Sequence, residues 1–137
     1  MVKRLKFIDV NVGKTFSYKR TLVEDDIQKF IELSGDENPL HVDKDFGKRS
    51  IFGNNIVHGM LLASLFSKVV GMYLGENIIY LSQTLKFRKP AFVGDHIVIE
   101  GLVRSKSDST RIIVLETTIK KGEEIIINGE AKVQYLL

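Results

Sequence analysis

The run from Val57 to Leu74 limits the fold of this chain more than any other stretch. It has the length of a helix, yet Met60, Leu61, Leu62, Leu65, Phe66, Val69, Val70 and Met72 point in nearly every direction around it. A helix that is apolar on all sides has to be surrounded by protein. It is not a membrane span, because a span needs about 20 predominantly apolar residues, and His58, Ser64, Ser67 and Lys68 interrupt this one. The cover follows in the chain as four strand-like runs, near 78–88, 96–105, 110–120 and 124–136. In the last of them Ile125, Ile127, Gly129, Ala131, Val133 and Tyr135 alternate with polar residues, and only Ile126 and Leu136 break the pattern. A period of two marks a half-buried antiparallel strand. Ser105 to Ser109 and Lys121-Gly122-Glu123 provide the turns.

Upstream, residues 14–23 read as a strand leading into a short helix. Glu24 to Ser34 carries its acids in the first turn, which suits the positive end of the helix dipole. Ile27, Phe30, Ile31 and Ser34 share one face, and Gly35 stands where a left-handed residue would end the helix. Residues 36–56 break all periodicity. Asn38-Pro39, Gly47, Gly53 and Asn54-Asn55 are turn formers among charges, so an irregular segment is expected. Such segments are uncommon in compact domains and usually functional. The expected architecture is α+β, an antiparallel sheet curled around one apolar helix, as a single domain over residues 1–137.

Composition removes several function classes. With 44% hydrophobic and 27% charged residues, the chain is not globally disordered. Its formal charge of +3 is spread among acids, and the tightest basic group, Lys86, Arg88 and Lys89, lacks the aromatic interleaving of a nucleic-acid surface. No nucleic-acid or membrane partner is expected. The absence of cysteine excludes disulfides, thiolate metal sites and a cysteine nucleophile. Met1 to Val10 has no apolar core of the kind a signal peptide needs, so a cytoplasmic protein is expected.

Two places can carry chemistry. Asp36 and His41 lie on either side of the turn forced by Asn38-Pro39, just ahead of the apolar helix, where burial would shift their proton affinities. The same spacing fits a polar loop in which Asp36 caps a turn and His41 faces solvent. The second place is Val57-His58-Gly59-Met60. A helix start presents unpaired N–H groups, and a glycine lets a substrate oxygen approach them. Aimed at a thioester carbonyl, they would stabilise an enolate-like transition state. Close packing against the sheet accounts for Gly59 equally well, and His58 is expected to cap or orient the helix start. Gly13-Lys14-Thr15 lacks the earlier glycine of a phosphate-binding loop. With three histidines and no cysteine, no metal site is expected, and His41 with Asp43 is too small a ligand set. Ser64 and Ser67 have no nucleophile-elbow context.

The string Ser34-Gly35-Asp36-x-Asn38-Pro39-Leu40-His41-x-Asp43, followed by Ile56-Val57-His58-Gly59-Met60 and later by Phe92-Val93-Gly94-Asp95, resembles the MaoC-like or hydratase-2 signature. Within that family the run from Ile56 to Ser67 is most similar to the small bacterial (R)-specific enoyl-CoA hydratases that supply polyhydroxyalkanoate monomers. The likeness runs through nearly the whole chain in order and spacing. It implies a single hot-dog fold and a homodimer whose sheets join edge to edge. It also implies reversible syn addition of water to a trans-2-enoyl-CoA, with an acyl-carrier-protein thioester as the other substrate form and no cofactor. By the same resemblance, Asp36 and His41 hold and deprotonate the water, the Gly59 N–H polarises the thioester oxygen, and Asn38 and His58 support them. Asn54-Asn55 and Lys48-Arg49-Ser50 depart from the pattern, which bears on chain-length preference. Two other activities belong to such folds: acyl-thioester hydrolysis and non-catalytic acyl-thioester binding. A hot-dog thioesterase carries its acid on or near the central helix, and none lies between Val57 and Leu74.

Overall fold

A computed structural model describes residues 1–136; Leu137 lies outside the described residues. Strand β1 (Thr15–Thr21) is followed by helix α1 (Glu24–Ser34), two short helices α2 (Pro39–Val42) and α3 (Lys44–Arg49), and the central helical run. That run comprises α4 (Gly59–Ser64), α5 (Phe66–Lys68) and a π-helical turn at Val69–Tyr73. Strands β2 (Ile78–Gln83), β3 (Lys86–Phe87), β4 (His96–Lys106), β5 (Ile112–Lys121) and β6 (Glu124–Tyr135) complete the chain. All pairings are antiparallel, in the order β1-β4-β5-β6-β2, with β3 also on β6.

Helix α1 starts and stops as its residues predict. Asp26 accepts the Val23 N–H at 3.0 Å. Gly35 is left-handed at φ 77°, and its N–H closes on the Ile31 carbonyl at 2.8 Å. The segment 36–56 is more ordered than expected. Asn38 accepts the Leu40 N–H at 2.9 Å and so starts α2; Asp43 accepts the Phe46 N–H at 3.1 Å and starts α3. Asn38, read as a turn former, is a helix cap here, and Asp43 is another, a role open to both side chains.

The expected strand 78–88 is divided at Thr84-Leu85. A Cβ on Gly129 would lie 1.8 Å from the Thr84 carbonyl oxygen, so β6 has no side chain where the break crosses it. In β6 itself Ile119 pairs with Ile127 and Lys120 with Ile125, leaving Ile126 as a bulge. The bulge moves the buried face by one residue, so Ile126 is inside and Ile125 is exposed.

The central run lies on the sheet with Leu62, Phe66, Val69 and Leu74 inside. Gly101 of β4 admits it closely, since a Cβ there would stand 2.8 Å from Val69 Cγ1. One expectation fails within the single chain: the run is not enclosed on all sides. Met60 is 59% exposed, and Ser64, Ser67, Lys68 and Gly71 face outward beside it. The sheet and helix together form the α+β hot-dog arrangement.

Candidate active site

Every candidate residue lies between 36 and 59, where the loop after α1 folds back over the start of α4. The carboxylate of Asp36 accepts the Asn38 N–H at 3.1 Å, and the Asn38 carbonyl accepts the His41 N–H at 2.8 Å. Asn38 thus shapes the turn through both its main chain and its side chain. His41 follows one turn later on α2. Its Nδ1 stands 2.8 Å from the Ile56 carbonyl oxygen. A carbonyl can only accept, so Nδ1 carries the proton and Nε2 presents its lone pair.

His58 is 1% exposed and anchors the other end. Its Nε2–H donates to the Asp36 carbonyl at 3.0 Å. Its ring stacks on His41 with centroids 3.9 Å apart and planes 27° apart, and the Phe30 ring packs on it at 4.8 Å. Of the two roles expected for His58, capping or orienting the helix start, the capping is corrected. His58 occupies the N-cap position of α4, but its side chain makes no capping bond, because it is spent on the Asp36 loop. Its Nδ1 is buried and has no hydrogen-bond partner among the described residues.

Asp36, His41 and His58 each bring one ligand-type atom within 4.8 Å of the others. His41 Nδ1 and His58 Nε2 are each taken up by a main-chain carbonyl. What the cluster offers is one carboxylate and one imidazole nitrogen near each other. Asp36 is exposed and His41 partly so in the single chain. The apolar enclosure expected around the pair is not supplied by this chain's own residues.

Gly59 opens α4, whose first-turn N–H groups have no intrahelical acceptors. A Cβ at this position would meet the Phe87 ring at 2.7 Å, so the glycine also permits close packing against β3. Beneath Phe87 an apolar groove of about 350 Å³ runs past Gly59, Leu62 and Ile127. On the other side of Ile56-Val57 a polar cavity of about 260 Å³ reaches His41. Ser64 Oγ donates to the Leu61 carbonyl at 2.5 Å and is a back-bonded helix residue.

The sequence reading missed two supporting residues. Asn55 Nδ2 donates to the carbonyls of Asp43 at 2.8 Å and Leu40 at 3.1 Å, clamping the end of α2 that carries His41. Gly47 leaves room for it, as a Cβ there would sit 2.6 Å from the Asn55 nitrogen. The available signal was a glycine within a charged run and a polar pair just ahead of an apolar helix.

The MaoC like domain model matches residues 9–125. The 3-hydroxybutyryl-CoA dehydratase of Methylorubrum extorquens is 37% identical over 131 residues, which cover 95% of this chain and 83% of that protein. The (R)-specific enoyl-CoA hydratase of Aeromonas caviae is 39% identical over 127 residues, covering 91% and 95%. Among solved structures, the unliganded R-hydratase PhaJ1 of Pseudomonas aeruginosa is similar with a TM-score of 0.90 at 30% identity, over 98% of this chain and 87% of that one. With a family match across most of its length, relatives of nearly its own size and a shared hot-dog fold, the chain belongs to the MaoC-like family.

Proposed function

We propose that this protein is an (R)-specific enoyl-CoA hydratase, a hydro-lyase that adds water reversibly and with syn geometry to trans-2-enoyl-CoA. One observation carries the reading: the loop and helix start bring the Asp36 carboxylate and the His41 imidazole within 4.8 Å, with His41 Nδ1 already committed to the Ile56 carbonyl. The names of the relatives from Methylorubrum and Aeromonas support the same reaction.

In this mechanism one water sits between Asp36 and His41 Nε2. Its oxygen bonds to the third carbon of the enoyl group as the pair removes a proton. The alkene electrons move onto the thioester oxygen, where the Gly59 N–H accommodates the charge. They return as the second carbon takes a proton from the pair on the same face. General acid–base catalysis is worth about 10²–10⁴ in rate, and an oxyanion donor about 10²–10³. Asn38 and His58 hold the loop in place. A cytoplasmic location is part of this reading, and the (R)-3-hydroxyacyl product is of the kind that enters polyhydroxyalkanoate.

The active form is a homodimer. The outward face of the central run, with Met60 59% exposed, and the edge strand β2, with Ile79 and Leu81 each 47% exposed, support that reading. Sedimentation equilibrium is expected to give twice the 15.5 kDa of the chain; a monomer at micromolar concentration would remove it.

The reaction is tested by loss of conjugated enoyl absorbance with crotonyl-CoA, coupled to an (R)-specific 3-hydroxyacyl-CoA dehydrogenase. Rapid loss with (R) product is expected. No loss on crotonyl-CoA, longer enoyl-CoA or enoyl-acyl-carrier-protein would replace the hydratase by a non-catalytic thioester-binding module.

A further inference from the structure

We infer that Arg88 and Lys89 form the subsite for the phosphate groups of the CoA moiety, at the rim of the apolar groove that leads to Gly59. The inference rests on the hydratase reading and says where the carrier end of the substrate lies.

The groove has the chemistry of that part of the molecule. Its floor and wall are Leu62, Phe87 and Ile127, with Gly59 among the lining residues and Arg88 and Lys89 bordering it. A thioester whose oxygen meets the Gly59 N–H must send its pantetheine arm away from that point. The apolar floor accepts the arm, and cations are needed where its phosphates emerge. Both side chains are exposed, and neither forms an ion pair with a carboxylate among the described residues. Their main-chain positions are nonetheless fixed. The main-chain N–H groups of Arg88 and Lys89 both donate to the Ile126 carbonyl, at 2.8 and 3.3 Å, where β6 bulges. Arg88 Nε donates to Asn128 Oδ1 at 2.8 Å, which holds the guanidinium and leaves its terminal nitrogens free to fork onto an anion. Lys86, on β3 of the same edge, adds to the positive field.

The test compares crotonyl-CoA with crotonyl-N-acetylcysteamine, which keeps the thioester and the reacting alkene but carries no phosphate. The measured quantity is the ratio of the two kcat/KM values. For R88Q/K89Q this ratio is expected to fall about five- to tenfold, through KM for the CoA substrate. The single variant K89Q, which leaves the Arg88–Asn128 bond in place, is expected to move it in the same direction. Raising salt is expected to lower the ratio in the wild type more than in the double variant. An unchanged ratio overturns the subsite even if both absolute rates drop, since that pattern means a damaged groove. A wild type inactive on both thioesters overturns the hydratase reading and the subsite with it, whereas an active wild type with an unchanged variant ratio overturns the subsite alone.

Discussion

His41 is held on two sides by the segment that begins the central helix: the Ile56 carbonyl takes its Nδ1 proton and the His58 ring lies flat against it. In the proposed mechanism His41 reacts and His58 positions it. Asp36→Asn and His41→Ala are each expected to lower kcat by about 10² or more with the fold intact. Steady-state rates and far-UV circular dichroism check this, and near-normal turnover in either variant would remove the pair from the mechanism. His58 is expected to act through position alone. His58→Phe keeps an aromatic ring against His41 but loses the donor to the Asp36 carbonyl, so kcat is expected to fall about tenfold, and stability by about 1–3 kcal/mol. His58→Gln can place an amide N–H near the same carbonyl and is expected to recover most of the kcat loss. A Gln variant no better than Phe would mean that the stack, and not the hydrogen bond, is what matters.

Among the elements, α2 and α3 were the hardest to read in the sequence, and the reason is physical. Asn38, Pro39 and Asp43 are equally suited to turns and to helix starts, and each helix is too short to show a period. Helix α1 was legible because acids, an apolar face and Gly35 agree on one outcome. In β6 the alternation was legible, and Ile126 was visible as its exception; that it is a buried bulge depends on pairing with β5, which is not a local property. The residues proposed to carry the chemistry stand out in the sequence as a motif, whereas the hydrogen bonds from Asn55 and to Ile56 required the loop and the helix start to meet. The clamp makes its own prediction. Asn55→Ala leaves the Leu40 and Asp43 carbonyls without their donor and is expected to cost about 1–2 kcal/mol. It should also lower kcat more than it raises KM, because α2 carries His41. Gly47→Ala is expected to be worse, at about 1–3 kcal/mol, since its Cβ would press on the Asn55 backbone. Thermal melts that leave either variant unchanged would mean that this loop does not depend on the clamp.

For the molecule as a whole, two tyrosines, Tyr18 and Tyr135, tie the central run to the sheet, and a third, Tyr80, bonds within β2. Tyr18 donates to the Leu65 carbonyl at 2.6 Å, Tyr80 donates to Gln83 and Tyr135 to the Leu74 carbonyl. Burial pushes each phenol up to about 12, with nearby Asp9 adding to the effect at Tyr135. In the unfolded chain tyrosine ionises near 10. Between those values the folded protein holds protons that the unfolded chain has released, so stability is full below about pH 10 and declines as pH rises towards 12. Urea midpoints are expected to be lower at pH 11 than at pH 9, and Tyr18→Phe is expected to reduce the difference. Equal midpoints would show that these hydroxyls do not have to stay protonated. The placement of the reactive groups has a different kind of consequence. All the groups proposed to react lie between residues 36 and 59, while most of the sheet is made by later strands that contribute none of them. The loop and the start of the helix are therefore one contiguous cassette, and a single recombination event could carry it whole onto another sheet-backed helix of the same shape.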